Sequence, residues 1–180
     1  MSGGSGRNSE DGVAVREAVL EDGEAIRAVH RESILGLGPA AYDDEQVAAW
    51  AAGCADADYV AGIEGEEPFL VATDGDEIVG FGSLSVGPPE DYAADVDCEV
   101  TGVYVHPADA GRGVGSRLLA ALEERAREAG VSRLGLTASA NAVGFYESRG
   151  YERVRAYRHE FSAARSTGVT GRVVEMKRRF

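Results

Sequence analysis

At 180 residues the chain is long enough for one domain with a sizeable core and short for two. Its 31 Asp and Glu against 18 Lys and Arg give a net charge of -13, which argues against nucleic acid as a partner, since phosphate backbones need clustered cations. There is no run of about 18 apolar residues and no apolar signal core in the N-terminal MSGGSGRNSEDG, so a soluble, cytoplasmic protein with no membrane partner is expected.

The charge is unevenly distributed. Between Glu32 and Gly111 there are eighteen Asp and Glu and no Lys or Arg, whereas Arg112 to Phe180 carries fourteen Lys and Arg against seven Glu. One account is functional, an anionic side that attracts amines beside a cationic side that attracts phosphates. The other is a high-salt habitat, because an acidic chain with one lysine beside seventeen arginines resembles proteins adapted to salt. Cys54 and Cys98 lack C-x-x-C spacing, so buried thiols are expected rather than a disulfide or zinc site.

Taken in order, residues 1–12 read as a disordered tail and residues 13–180 as a single domain. Val13 to Ala18 alternates as a first strand, and a helix starts at Glu21-Asp22, with Ile26, Val29 and Ile34 on one stripe. A second helix is capped by Asp43 or Asp44 and runs through Val47 and Trp50 to Gly53. Phe69–Thr73 and Ile78–Val86 form a hairpin around Asp74-Gly75-Asp76, in which Gly80 and Gly82 mark a bulge or a crowded packing position. An acidic loop, PPEDYAADVD, leads into a central strand. A helix from about Gly113 to Ala129 buries Leu118, Leu119, Leu122 and Ala126, with Glu123 and Arg127 paired on the opposite face. A strand over Val131–Ser139, a short helix over Ala142–Arg149 and two long closing strands complete the order β-α-α-β-β-β-α-β-α-β-β. This is an α/β arrangement around a mixed sheet. The exposed closing strands suggest a homodimer.

The stretch Cys98–Leu119, CEVTGVYVHPADAGRGVGSRLL, carries the first functional signal. A strand breaks at His106-Pro107, passes through a glycine-rich turn and opens into a helix whose first N–H groups are free donors at the positive end of the macrodipole. Such a place holds a phosphate. A P-loop is excluded because it needs Gly-Lys-Ser/Thr and the only lysine is Lys177; a dinucleotide fingerprint fails because Arg112 or Leu118 stands where a glycine is required.

The stretch resembles the acetyl-CoA signature of the GNAT superfamily of acyl-CoA N-acyltransferases, V-x-P followed by Q/R-x-x-G-x-G/A. Gly113 and Gly115 match, and Ala110 replaces the usual Gln or Arg. Asn141 to Tyr151, NAVGFYESRGY, resembles the family's second signature through Asn141, Phe145, Tyr146, Gly150 and Tyr151, with Gly144 in place of the usual Ala.

The resemblance implies a single GNAT-like domain that moves an acetyl group from acetyl-CoA directly to a small-molecule or peptide amine, with no metal. Gly111, Gly113, Val114, Gly115 and Ser116 would offer backbone N–H groups to the pyrophosphate, with Arg112 and Arg117 adding charge. The central strand would splay from the strand around Leu134–Thr137, and Val103 and Val105 would pair with the pantetheine arm, which Asn141 would also contact. An N–H near Val103 would polarise the thioester carbonyl. Tyr146 would protonate the leaving thiolate, and Glu99, with Asp97 as backup, would take the amine proton. Tyr42 and Trp50 are read as acceptor-pocket aromatics or as core packing. His30, His106 and His159 lack metal-ligand spacing. The alternative is a catalytically silent acyl-CoA-binding module, since a fold can keep its ligand site after losing chemistry.

Overall fold

The computed structural model describes residues 12–161 and 166–180. The tail expected over residues 1–12 lies, apart from Gly12, outside the described residues, as does part of the polar loop between the closing strands. Val13–Glu17 (β1), Phe69–Asp74 (β2), Glu77–Val86 (β3) and Cys98–Val105 (β4) are successive antiparallel neighbours. Arg133–Ser139 (β5) runs parallel to β4, and Glu152–Glu160 (β6) and Thr170–Arg179 (β7) complete a seven-stranded mixed sheet in the order β1-β2-β3-β4-β5-β7-β6. Gly23–Leu37 (α1), Asp44–Ala52 (α2), Tyr59–Glu64 (α3), Val114–Glu128 (α4) and Val143–Glu147 (α5) flank it. Among the described residues no helix is long and apolar enough to cross a membrane.

Strand alternation divides the core into two faces. Leu70 and Ala72 of β2 pack with Leu118, Leu119 and Leu122 of α4, whereas Val71 packs with Ile26 and Val29 of α1 and Tyr59 of α3. The glycines at 80 and 82 are a crowded seat for α4: a Cβ on Gly82 would lie 2.9 Å from Leu122 Cδ1, and one on Gly80 would lie 3.0 Å from Leu118 Cδ1. Asp43 caps α2 as expected, accepting from the Gln46 N–H at 2.9 Å while Gln46 Oε1 accepts from the Asp43 N–H.

Two expectations are corrected. The sequence order omits α3, which has a capping Asp58 but is six residues long, too short to show a periodicity. Glu123 is not on the solvent face of α4. It is buried, and accepts from Arg178 Nη1 at 2.7 Å and from Tyr151 Oη at 3.0 Å, while Arg127 lies 3.8 Å away. Its charge is tolerated inside because partners on β7 and beside β6 surround it.

The sheet has one interruption. β4 pairs with β5 only through Cys98↔Leu134, Glu99↔Gly135 and Val100↔Leu136. At the next residue the register with β3 shifts from Leu84↔Val100 to Ser83↔Gly102, leaving Thr101 as an extra residue on β4. Such a bulge bends its strand, and beyond it β4 and β5 diverge.

His30 of α1 is wedged against Tyr104, Phe81 and Tyr59, with its Nδ1 2.7 Å from Tyr59 Oη and its Nε2 buried without a partner. Burial pushes its pKa down from 6.5 to about 4, because the imidazolium would carry an unpaired N–H into the core. The neutral ring therefore contributes stability that is fully present above pH 6.5 and is lost as pH falls toward 4. Chemical denaturation should show wild type losing about 3 kcal/mol more than His30→Phe between pH 7 and pH 4. Parallel pH dependences of the two proteins would contradict this.

Candidate active site

The turn before α4 is built for an anion. Gly111 and Gly113 have φ of 78° and 79°, the left-handed region that strains side-chain-bearing residues. The first intrahelical bond of α4 is donated by the Arg117 N–H to the Gly113 carbonyl at 3.1 Å. The N–H groups of Val114, Gly115 and Ser116 precede it and point out of the helix end, where the macrodipole is positive. They line a cleft of about 540 Å³ that also takes in Ala110, Gly111, Gly113, Asn141 and the α1 end at Leu37. The Asn141 amide donates to the Leu37 carbonyl at 3.4 Å and so ties α1 to this cleft.

Neither arginine expected at the pyrophosphate faces this cleft. Arg112 pairs with Asp109 and, at 3.0 Å, with Asp74, and Arg117 donates to the Val13 carbonyl at 3.0 Å. Their own acidic and carbonyl neighbours turn them outward. Arg149, which sequence reasoning passed over, does line the cleft, hydrogen-bonded to Ser116 Oγ with its guanidinium 5.6 Å above the Phe145 ring. The available signal was its place within the second motif, just before Gly150.

Where β4 leaves β5, its backbone faces a gap. The His106 N–H donates to the Val79 carbonyl of β3 at 2.8 Å, so by strand alternation the amides of Val105 and Val103 face the gap instead. A second cleft, of about 780 Å³, meets the first here, and Trp50, Val103, Tyr104, Ser139, Ala142 and Tyr146 line both. Tyr146 is 6% exposed, packed edge-on against Phe145 and Tyr151. Burial, with a smaller contribution from Tyr104, pushes its phenol well above the usual value, so the hydroxyl stays protonated.

Glu99 lines the second cleft, and its Oε1 accepts from Tyr92 Oη at 2.7 Å. Trp50 stacks on Phe161 at 5.4 Å and forms part of the wall. The other two acceptor-side candidates are elsewhere. Tyr42 is buried, donating to the Arg172 carbonyl at 2.6 Å and accepting from the Ala140 N–H at 2.8 Å, so it fastens β5 and β7 beneath α2. Asp97 lies ahead of β4 and lines neither cleft. Its carboxylate is gripped by the Arg133 side chain and by the N–H groups of Arg133 (3.0 Å) and Ser132 (3.3 Å). The Arg133 guanidinium, then these N–H groups, hold its pKa down at about 2, which leaves it a poor base.

The loop over residues 87–97 closes one side of the second cleft through Pro89, Glu90, Asp91 and Tyr92. It is held by Glu175 of β7, 0% exposed, which accepts from the N–H groups of Ala93 (3.1 Å) and Ala94 (2.8 Å) and from Arg155 Nε (2.7 Å). Burial pushes the Glu175 pKa up, but these donors outweigh it and the net direction is down. Sequence reasoning missed Glu175, which is a lone charge in a closing strand until its loop partners are known. Among the described residues no group of three or more His, Cys, Asp or Glu is placed to hold a metal.

The sequence profile of the acetyltransferase (GNAT) family matches residues 39–151. A GCN5-related N-acetyltransferase from Rhodopseudomonas palustris is 30% identical, with a TM-score of 0.82 over 97% of this chain and 100% of that one. The fold is shared with PaiA N-acetyltransferase from Thermoplasma acidophilum, solved with coenzyme A (19% identity, TM-score 0.65, 93% of this chain and 99% of that one). It is shared also with yncA from Salmonella typhimurium, solved with acetyl-CoA (22% identity, TM-score 0.61, 94% of each chain). No curated protein sequence matches the chain. The profile spans more than half of the residues and the Rhodopseudomonas relative aligns along nearly all of them, and on these grounds the chain belongs to the GNAT family of acetyltransferases.

Proposed function

We propose that the chain transfers an acetyl group from acetyl-CoA to the primary amine of a cationic acceptor by direct attack. The observation that carries this reading is the meeting of two clefts at Tyr146, one running to a free helix N-terminus and the other lined by Glu99. In this reading the N–H groups of Val114, Gly115 and Ser116 hold the pyrophosphate, with Arg149 as the nearby cation. The pantetheine arm lies in the β4–β5 gap, contacting Asn141 and pairing with Val103 and Val105, and the thioester reaches the junction of the clefts.

The amine enters from the second cleft and attacks as a neutral nucleophile. A C–N bond forms, the Val103 N–H stabilises the developing oxyanion, and Glu99 takes the amine proton. The C–S bond then breaks, and the Tyr146 hydroxyl donates to the departing sulfur. Burial keeps that hydroxyl protonated. The acceptor is cationic because Glu90, Asp91 and Glu99 line its cleft, and the cation beside them, Arg155, is already paired with Glu175.

A thiol-release assay with acetyl-CoA and a panel of polyamines, aminoglycosides, amino acids and peptide N-termini tests the reading. Turnover is expected on cationic amines, and CoA binding without turnover on any class would make the chain a binding module. Tyr146→Phe should lower kcat by about 10²-fold while leaving acetyl-CoA affinity nearly unchanged. Equal loss of both would assign Tyr146 to binding.

If the acidic cleft steers its acceptor, kcat/KM for a cationic amine should fall several-fold as salt is raised through the range where screening sets in. Activity that climbs toward molar salt would instead trace the chain's acidity to its habitat.

A further inference from the structure

We propose that Tyr92, in the loop before β4, is a positioning residue that holds Glu99 in the orientation needed to receive the amine proton. This rests on the reading of Glu99 as the base.

The geometry is a directed chain of hydroxyls. An ionised carboxylate only accepts, so the 2.7 Å contact between Tyr92 Oη and Glu99 Oε1 uses the single proton of Tyr92. Thr137 Oγ1, 3.1 Å from Tyr92 Oη, must then donate to it. With the Thr137 proton committed, Tyr157 Oη at 3.3 Å donates to Thr137 in turn. Every hydroxyl therefore points toward Glu99. One carboxylate oxygen is fixed by this chain, and the other, Oε2, carries no hydrogen bond among the described residues and is left for the substrate.

The fold goes to some length to place this one phenol. Gly135 is the β5 residue paired with Glu99, and a Cβ there would lie 2.8 Å from Tyr92 Cε2 and 2.9 Å from Val96 Cγ2. The missing side chain is the space in which the Tyr92 ring lies, which accounts for a glycine in the middle of a buried strand. Thr137 stands two residues further along the same face of β5. The two residues after Tyr92 are gripped through their N–H groups by buried Glu175. Seat and donor, both on β5, and the clamp on β7 converge on Tyr92 from two separate places in the sequence. Burial, against the Thr137 hydrogen bond and reinforced by Glu99, raises the phenol's pKa, so Tyr92 stays a donor.

Steady-state kinetics with acetyl-CoA and the panel amine acetylated fastest test this. Tyr92→Phe keeps the ring on Gly135 and removes only the hydroxyl. It should lower kcat about tenfold while the KM for each substrate moves less than about twofold. Glu99→Gln should lower kcat about 10²-fold, and adding Tyr92→Phe to it should cost nothing more, because Tyr92 acts through Glu99. Gly135→Ala, which displaces the ring, should lower kcat in the same way. A wild-type kcat in Tyr92→Phe, or the same tenfold loss in both backgrounds, would overturn the proposal and leave Glu99 as base. A wild-type kcat in Glu99→Gln would overturn the base itself, and no turnover on any amine would overturn the enzymatic reading and this proposal with it.

Discussion

The short parallel pairing of β4 with β5 is the constraint around which the molecule is arranged. Three rungs hold the two strands together, and then the extra residue Thr101 turns β4 aside. A gap in the middle of a sheet exposes backbone donors and acceptors that require partners. It stays open because each strand is fully committed on its outer side. β4 keeps its partner β3 as far as Val105, and β5 is paired with β7 from Arg133 through Ser139, so neither can swing across to close the split. Tyr42 reinforces the far lip by bonding Ala140 and Arg172 at once. The result is a slot between β4 and β5 that the strands' other pairings hold open.

Charge follows from the same frame. The sequence divides sharply into an anionic and a cationic stretch, and the fold pairs charges both across and within them. Several arginines of the second half are spent on carboxylates: Arg133 on Asp97, Arg155 on Glu175, and Arg178 on Glu123. In the last two the carboxylate is buried; desolvation offsets much of the attraction, but losing the arginine would leave an unpaired charge inside. Their contribution here is geometric. Glu123 ties α4 to β7, and Glu175 ties the 87–97 loop to β7. After these pairings, among the described residues Arg149 lines the first cleft and Glu99 lines the second.

What was legible in the sequence was local. The glycine turn, the apolar stripe of α4, the Asp43 cap and the hairpin around Gly75 are each specified within about a dozen residues, and all are found where they were expected. The site residues that depended on distant partners were not legible in the same way. Asp97 and Glu99 are two residues apart, and nothing nearby in sequence separates them as candidate bases. Arg133, more than thirty residues later, separates them by capturing Asp97. Arg112 and Arg117 sit in the expected motif, but Asp74 and the Val13 carbonyl draw them away from it. Trp50 and Tyr42 belong to one aromatic cluster, and only the hydrogen bonds of Tyr42 separate the fastener from the wall.

Gly135 shows how a residue that weakens a local pattern can carry the tertiary design. In isolation it lowers the case for a strand, because glycine contributes no side chain to the core. In the folded chain it stands beside Glu99 at the second of the three rungs, and the space it leaves admits a side chain from a loop some forty residues earlier. The helix end of the first cleft is thus built from one continuous strand-turn-helix stretch, whereas the surroundings of Glu99 are assembled from a loop, a glycine and a buried carboxylate. Because the clamp at Glu175 binds main-chain N–H groups, the loop's side chains other than Tyr92 can vary without loosening it. The lining of the second cleft can therefore change at Glu90 and Asp91 while the slot, the helix end and the Tyr92–Glu99 contact stay as they are.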